Sequence, residues 1–211
     1  MKIYDISMSV HSKMNVYKER DEKRPELSVI SDFDTGSVYE TEIKMNLHTG
    51  THIDAPLHVF KDGETTDNFD IKDILRPCRV LDLTYVTDQV SAADFNDYDI
   101  KSEQFLLLKT KNSNESYLKD FPEEFIYLAE DGAEFLADKG IKGVGIDSLG
   151  IERNQLGHPT HKVLLSHGVT IVEGLNLKGI KEGNYTLLLA PLKISEAESA
   201  PARAVLITDY F

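Results

Sequence analysis

The 211-residue sequence predicts a single α/β domain of mixed type, on three observations. Strand-type patterns outnumber helix-type ones. The later strand patterns are near-continuous apolar runs, as in strands covered on both faces. Helix followed by strand also occurs twice, at 130–146 and at 160–173. No repeat, low-complexity tract or linker divides the chain, so residues 1–211 are expected to form one domain.

Taken in order, "YDISMSV" alternates, with Ile6, Met8 and Val10 on one face, and reads as a strand. "YETEIKMNLH" repeats the pattern with Ile43, Met45 and Leu47, and would lead straight into His48. "CRVLDLTYV", "QFLLLKT", "KGVGID", "VTIVEG", "YTLLLA" and "AVLIT" follow as β-branched or apolar runs. "EDGAEFLADKG" places Ala133, Leu136 and Ala137 at helical spacing and stops at Gly140. "PTHKVLLSHG" opens on Pro and Thr, carries Val163, Leu164 and Leu165, and ends at Gly168. The polar stretches 18–25 and 61–70 read as surface loops.

Composition narrows the function. Hydrophobic content of 41% and charged content of 28% suit a soluble domain with a substantial core. No run of about 18 apolar residues is present, and "MKIYDISMSV" lacks a secretory pattern. A cytoplasmic location without membrane contact is the expectation. Thirty-six acidic residues against 23 basic ones repel a phosphate backbone, which argues against nucleic acid as a partner. The lone Cys78 excludes an internal disulfide and a thiolate-rich metal site, and reads as a buried, inert thiol. Any metal must therefore be held by imidazole and carboxylate.

"HTGTHIDAPLH", residues 48–58, concentrates three of the seven histidines and one aspartate. In one straight strand His48 and His52 would stand about 13 Å apart at a rise of roughly 3.3 Å per residue. That is too far to share an ion bound at about 2.0–2.1 Å. Gly50, two threonines and Pro56 oppose a regular helix. A bend at Gly50 that turns His48, His52 and Asp54 towards one point satisfies both constraints. Asp54 has two oxygens with which to bridge two ions. His58, past Pro56, is either a further ligand or a free imidazole placed for proton transfer. Further ligands must come from elsewhere, and "GHPTHKVLLSHGVTIVEGL" offers them. Glu173 ends an apolar strand, where a carboxylate is costly unless paired with a cation or metal. His161 falls in the first turn of the preceding helix. His158 precedes a proline and His167 lies at the helix C-terminus, where a positive charge suits the dipole; both are looser candidates.

"HTGTHIDAPLHVF" resembles the signature of the cyclase-like metal-dependent hydrolase family, to which bacterial kynurenine formamidase belongs. "GIKGVGIDSLGIE", "HKVLLSHGVTIVEGL" and "APLKI" with "APARAVLI" follow in the family's order, so the resemblance covers nearly the whole chain. It implies a swivelling β/β/α-type fold and a homodimer or higher oligomer. It also implies two divalent ions, zinc or in some members manganese. His48, His52 and Asp54 would hold one ion, and Asp54 would bridge to a second held by His161 and Glu173. The proton-transferring histidine falls on His58. Members acting on N-formylkynurenine carry an early tryptophan. Here that stretch reads "MNVYKERDEKRP", the chain has no tryptophan, and Tyr17 takes that place as an aromatic wall for substrate.

The expected chemistry is hydrolysis of an amide or formamide by water activated at the metals. No G-x-S-x-G elbow occurs, so serine catalysis is a poor competitor. A lactam or ester hydrolase of the isatin-hydrolase type on the same site is the nearest alternative. A non-catalytic metal-binding protein with closed coordination is the third.

Overall fold

Side-chain alternation sorts the apolar residues onto two sides of one curved sheet. The computed structural model describes residues 1–113 and 123–208. Its strands are β1 (Ile3–Asp5), β2 (Glu26–Ser31), β3 (Glu40–Lys44), β4 (His52–Asp54), β5 (Leu75–Asp82) and β6 (Gln89–Val90). They continue with β7 (Phe105–Lys109), β8 (Tyr127–Leu128), β9 (Gly143–Ile146), β10 (Thr170–Glu173), β11 (Gly183–Pro191) and β12 (Ser199–Ile207). Two α-helices, α1 (Glu130–Asp138) and α2 (Pro159–Ser166), precede β9 and β10.

The order β12-β11-β5-β7-β9-β10-β4 returns to β12 and closes a seven-stranded barrel, with β1 added on the free edge of β12. Strands β5, β7, β9 and β10 run parallel; the rest of the barrel is antiparallel. Along β7, Phe105 and Leu107 point into the barrel with Val80, Leu187 and Leu206. Leu106 and Leu108 point outward to Leu136 of α1 and Leu164 of α2. The interior is narrow: a Cβ on Gly145 would stand 2.6 Å from Leu175 and 2.8 Å from Leu107. Cys78 is buried in this interior, and burial pushes its thiol up to about 12, so it is inert at neutral pH.

The mixed α/β expectation holds, as do both helices and the six later strands. Two early elements differ. The first strand ends at Asp5; Ile6 is buried in the barrel interior, Ser7 keeps only an isolated bridge to Leu175, and Val10 is exposed. The second ends at Lys44, four residues before His48, and pairs with β2 as a separate hairpin rather than joining the barrel. No helix among the described residues is long and apolar enough to cross a membrane.

Candidate metal centre

Strand β4 carries the centre, and its register explains the geometry. Its partner across the ladder is β10, with His52 opposite Glu173 and Asp54 opposite Ile171. Ile53 and Val172 join the barrel interior. By alternation His52, Asp54 and Glu173 therefore face outward, towards α2. Two glycines permit the close approach. Gly50 and Gly174 have φ of +71° and +69°, and a Cβ on Gly174 would stand 2.2 Å from the Gly50 carbonyl oxygen. Any side chain there would push β4 and β10 apart. The Thr51 hydroxyl donates to the Gly174 carbonyl at 2.6 Å and fastens the contact. The bend expected at Gly50 is thus present, and it brings the His48 and His52 rings to 5.1 Å between centroids.

Around Asp54 the donors converge. His48 Nδ1 lies 3.0 Å and His52 Nε2 3.6 Å from Asp54 Oδ1, while His161 Nε2 lies 3.5 Å from Oδ2. Glu173 stands 3.2 Å from His52 Nε2 and 3.3 Å from His161 Nε2. His48, His52 and Asp54 form one group able to hold an ion, and Asp54, His161 and Glu173 form another. All five predicted ligands meet, from the two distant segments that hold them, with Asp54 common to both groups.

Electrostatics indicates what this cluster lacks. His52 Nδ1 lies 2.9 Å from the Gly50 carbonyl, which can only accept, so Nδ1 donates and Nε2 presents a lone pair to carboxylates. His52 Nε2 and both Asp54 oxygens are buried without a hydrogen-bond partner. Lone pairs crowded together out of water require a cation or a proton between them. Burial alone would raise both carboxyls; contact with His161 and His48 takes Asp54 well below its usual range, and His161 and His52 bring Glu173 to about 2. Burial pushes His52 and His161 down, and the carboxylates beside them outweigh it, so both end above their ordinary values. The donor set fits hard or borderline divalent ions.

His58 sits on the 3-10 turn Pro56–His58, half-buried, with ring centroids 4.3 Å from His48 and 5.2 Å from His161. It belongs to neither ligand group. Burial holds its imidazole below the ordinary value. Tyr17 packs edge-on against Phe125 at 6.1 Å and lines the same cavity of about 570 Å³ as His48, His58, His161 and Glu173. Glu152 was not anticipated. It is buried, with Oε1 3.3 Å from His161 Nδ1, and it contacts His158 Nδ1. A lone buried glutamate after the apolar "LGI" was the available signal. His158 stands at the edge of the centre, its ring 5.9 Å from that of His161; Glu152, His158 and His161 are a third group close enough to share an ion, although the His158 side chain is 62% exposed. His167 is exposed, bonds the Val163 carbonyl and stays outside.

Fold and site together define the class: a hydrolase with a pocket built for divalent cations. The chain belongs to the Cyclase family, whose "Putative cyclase" pattern it matches over residues 4–153. It is 33% identical to the kynurenine formamidase of Salinibacter ruber over 207 residues, covering 98% of this chain and 97% of that one. Among solved structures, one described as a predicted metal-dependent hydrolase from Bacillus stearothermophilus is 48% identical, with a TM-score of 0.87 and 97% of each chain covered. Another, described as a potential metal-dependent hydrolase with cyclase activity, is 47% identical with a TM-score of 0.90, covering 97% of this chain and 96% of that one.

Proposed function

We propose that this protein hydrolyses a carbon–nitrogen bond of the amide or formamide type, with N-formylkynurenine to kynurenine and formate as the model reaction. The observation that carries this reading is the set of partnerless buried donor atoms on His52 and Asp54 beneath an open cavity. His48, His52 and Asp54 would hold one divalent ion, and Asp54, His161 and Glu173 a second; zinc is favoured by the imidazole content, manganese by the carboxylates. Ions held there would acidify a water and polarise a carbonyl oxygen.

The chain's own residues do the rest. Glu152 accepts from the His161 backbone N–H and stands 3.3 Å from its Nδ1, on the side of the ring away from the pocket, where an outer carboxylate orients a metal-binding histidine. His58, beside the ligands but outside their groups, takes the proton from the attacking water and returns it to the leaving nitrogen. Tyr17 is the wall against which an aromatic substrate body rests. Turnover of N-formylkynurenine, formanilide and isatin by metal-loaded protein tests the reading. Formamide cleavage is expected; isatin as the one compound turned over would replace the formamide assignment with a lactam one.

Self-association belongs to the same reading. The β2–β3 hairpin stands off the barrel and exposes Val29, Ile30, Phe33, Tyr39 and Ile43. An apolar ribbon of that kind calls for cover, and a second copy supplies it. Sedimentation should give a dimer or larger for the unaltered protein, and a lighter species for Ile30→Asp/Phe33→Asp. A monomer at micromolar concentration would remove the proposal.

A further inference from the structure

Beyond the five ligands, one further cluster of metal-binding side chains opens onto the cavity. Glu152, His158 and His161 each offer an atom within 4.8 Å of the other two. Two ring nitrogens converge on one carboxylate oxygen: Glu152 Oε1 contacts His158 Nδ1 and lies 3.3 Å from His161 Nδ1. Glu152 Oε2 accepts from the His161 backbone N–H at 3.3 Å, which holds the carboxylate against the first turn of α2. Asp54 and Glu173 approach the same ring from its other nitrogen, Nε2, so the cluster lies outside the two inner ligand groups. Glu152, His158 and His161 all line the cavity of about 570 Å³, which gives an ion a path from solvent.

Three observations separate this cluster from a chance meeting of polar side chains. His161 Nδ1 is buried without a hydrogen-bond partner, since Glu152 stands near it but off the direction of an N–H. A ring nitrogen left so beside a carboxylate is satisfied by a cation between the two. Glu152 itself is buried and pairs with two histidines, and among the described residues with no lysine or arginine. Its charge has no fixed cation of its own. His158 takes a φ of +56° directly before Pro159, a costly backbone for a residue other than glycine. Its side chain makes no cap on α2 and is spent on Glu152 instead.

Resting on the two-ion reading above, we infer a third divalent-cation site, formed by Glu152, His158 and the Nδ1 side of His161, through which excess metal inhibits the enzyme. Two imidazoles and one carboxylate make a donor set of the kind zinc takes. The site is weaker than the inner pair, because the His158 side chain is largely exposed and water competes for the ion. Inhibition follows from the lone pairs. A neutral imidazole has one, so His161 serves an inner ion through Nε2 or an outer ion through Nδ1, and not both. An outer ion that recruits the ring leaves the second inner ion with Asp54 and Glu173 alone. It also occupies the cavity through which substrate must pass.

The test starts from protein loaded with two equivalents of zinc and freed of excess. Equilibrium dialysis against zinc should add a third, weaker ion per chain, and formanilide turnover should fall as that ion binds. His158→Asn keeps a residue suited to the left-handed backbone. It should weaken the third ion by about tenfold or more and move the inhibition to higher zinc by the same factor. The two inner ions of this variant, and its turnover without added zinc, should match the unaltered protein. His167→Asn, which removes an exposed imidazole outside the site, should leave both the third ion and the inhibition as they were. Uptake of no third ion overturns the proposal, as does a third ion held equally by His158→Asn, which is an adventitious ion only. Zinc inhibition that survives His158→Asn overturns it too. A third ion that depends on His158, in protein that cleaves no formamide, would sink the amide reading and spare the outer site. Formamide cleavage by two-ion protein that takes up no third ion would do the reverse.

Discussion

Asp54→Asn protein is expected to lose hydrolysis and divalent-ion retention together, with turnover below about 10⁻³ of the unaltered enzyme. The reason is position: Asp54 is the carboxylate common to both ligand groups, within 3.6 Å of His48, His52 and His161. An amide in its place offers one acceptor and no charge, so two ions held as proposed would lose their shared partner. Without the ions a water would keep its pKa near 15.7 rather than about 7, which would account for a loss of this size. Folding should survive, because the substitution is isosteric and removes a buried charge that is itself costly without its cation. Metal analysis, circular dichroism and a formamide assay on one preparation check all three. Glu152→Gln is the graded comparison: affinity for metal should fall by about 10–100-fold with the ligands intact. A fully active, metal-replete Asp54→Asn protein would mean the cluster is structural.

His58→Ala separates binding from chemistry. Metal content should stay near that of the unaltered protein, since His58 lies outside both ligand groups. Turnover should drop by about 10²–10⁴, the usual contribution of a placed acid–base group. The drop should appear in kcat more than in KM, because the ring acts on the proton in transit rather than on the bound substrate. Its place beside His48 and His161, at 4.3 and 5.2 Å, is what puts it within reach of a reacting water. Loss of an ion from this variant would make His58 a ligand and leave proton transfer without an assigned residue.

The sequence revealed the centre unevenly, for physical reasons. His48, His52 and Asp54 were legible because they are near neighbours whose convergence needs only a bend, and Gly50 marks it. Glu173 was legible as a charge at the end of an apolar strand, where burial without a partner is costly. His161 was placed by resemblance, and its meeting with Asp54 depends on α2 crossing the outer face of β4 and β10. No local pattern encodes that crossing. Glu152 escaped because its partners, His158 and His161, join it only through the tertiary fold. The stretch 18–25 reads as solvated surface because it is acidic and polar; only the fold shows Arg24 paired with Asp21 and Lys18, Arg20 and Lys23 lining the cavity. Barrel closure was likewise silent, since β4 and β12 pair across some 150 positions of sequence. Alternation in "YETEIKMNLH" marks β3 but continues past its end at Lys44, and nothing local marks β2 or shows that the two pair apart from the barrel.

Metal content measured against turnover through one cycle of chelation and reloading bears most directly on the claim that two ions, held by five side chains, do the hydrolysis. Purified protein should carry close to two divalent ions per chain, lose activity in step with their removal, and regain it on return of zinc or manganese. Chelated protein that holds no divalent ion yet cleaves formamide at its original rate would contradict the claim outright.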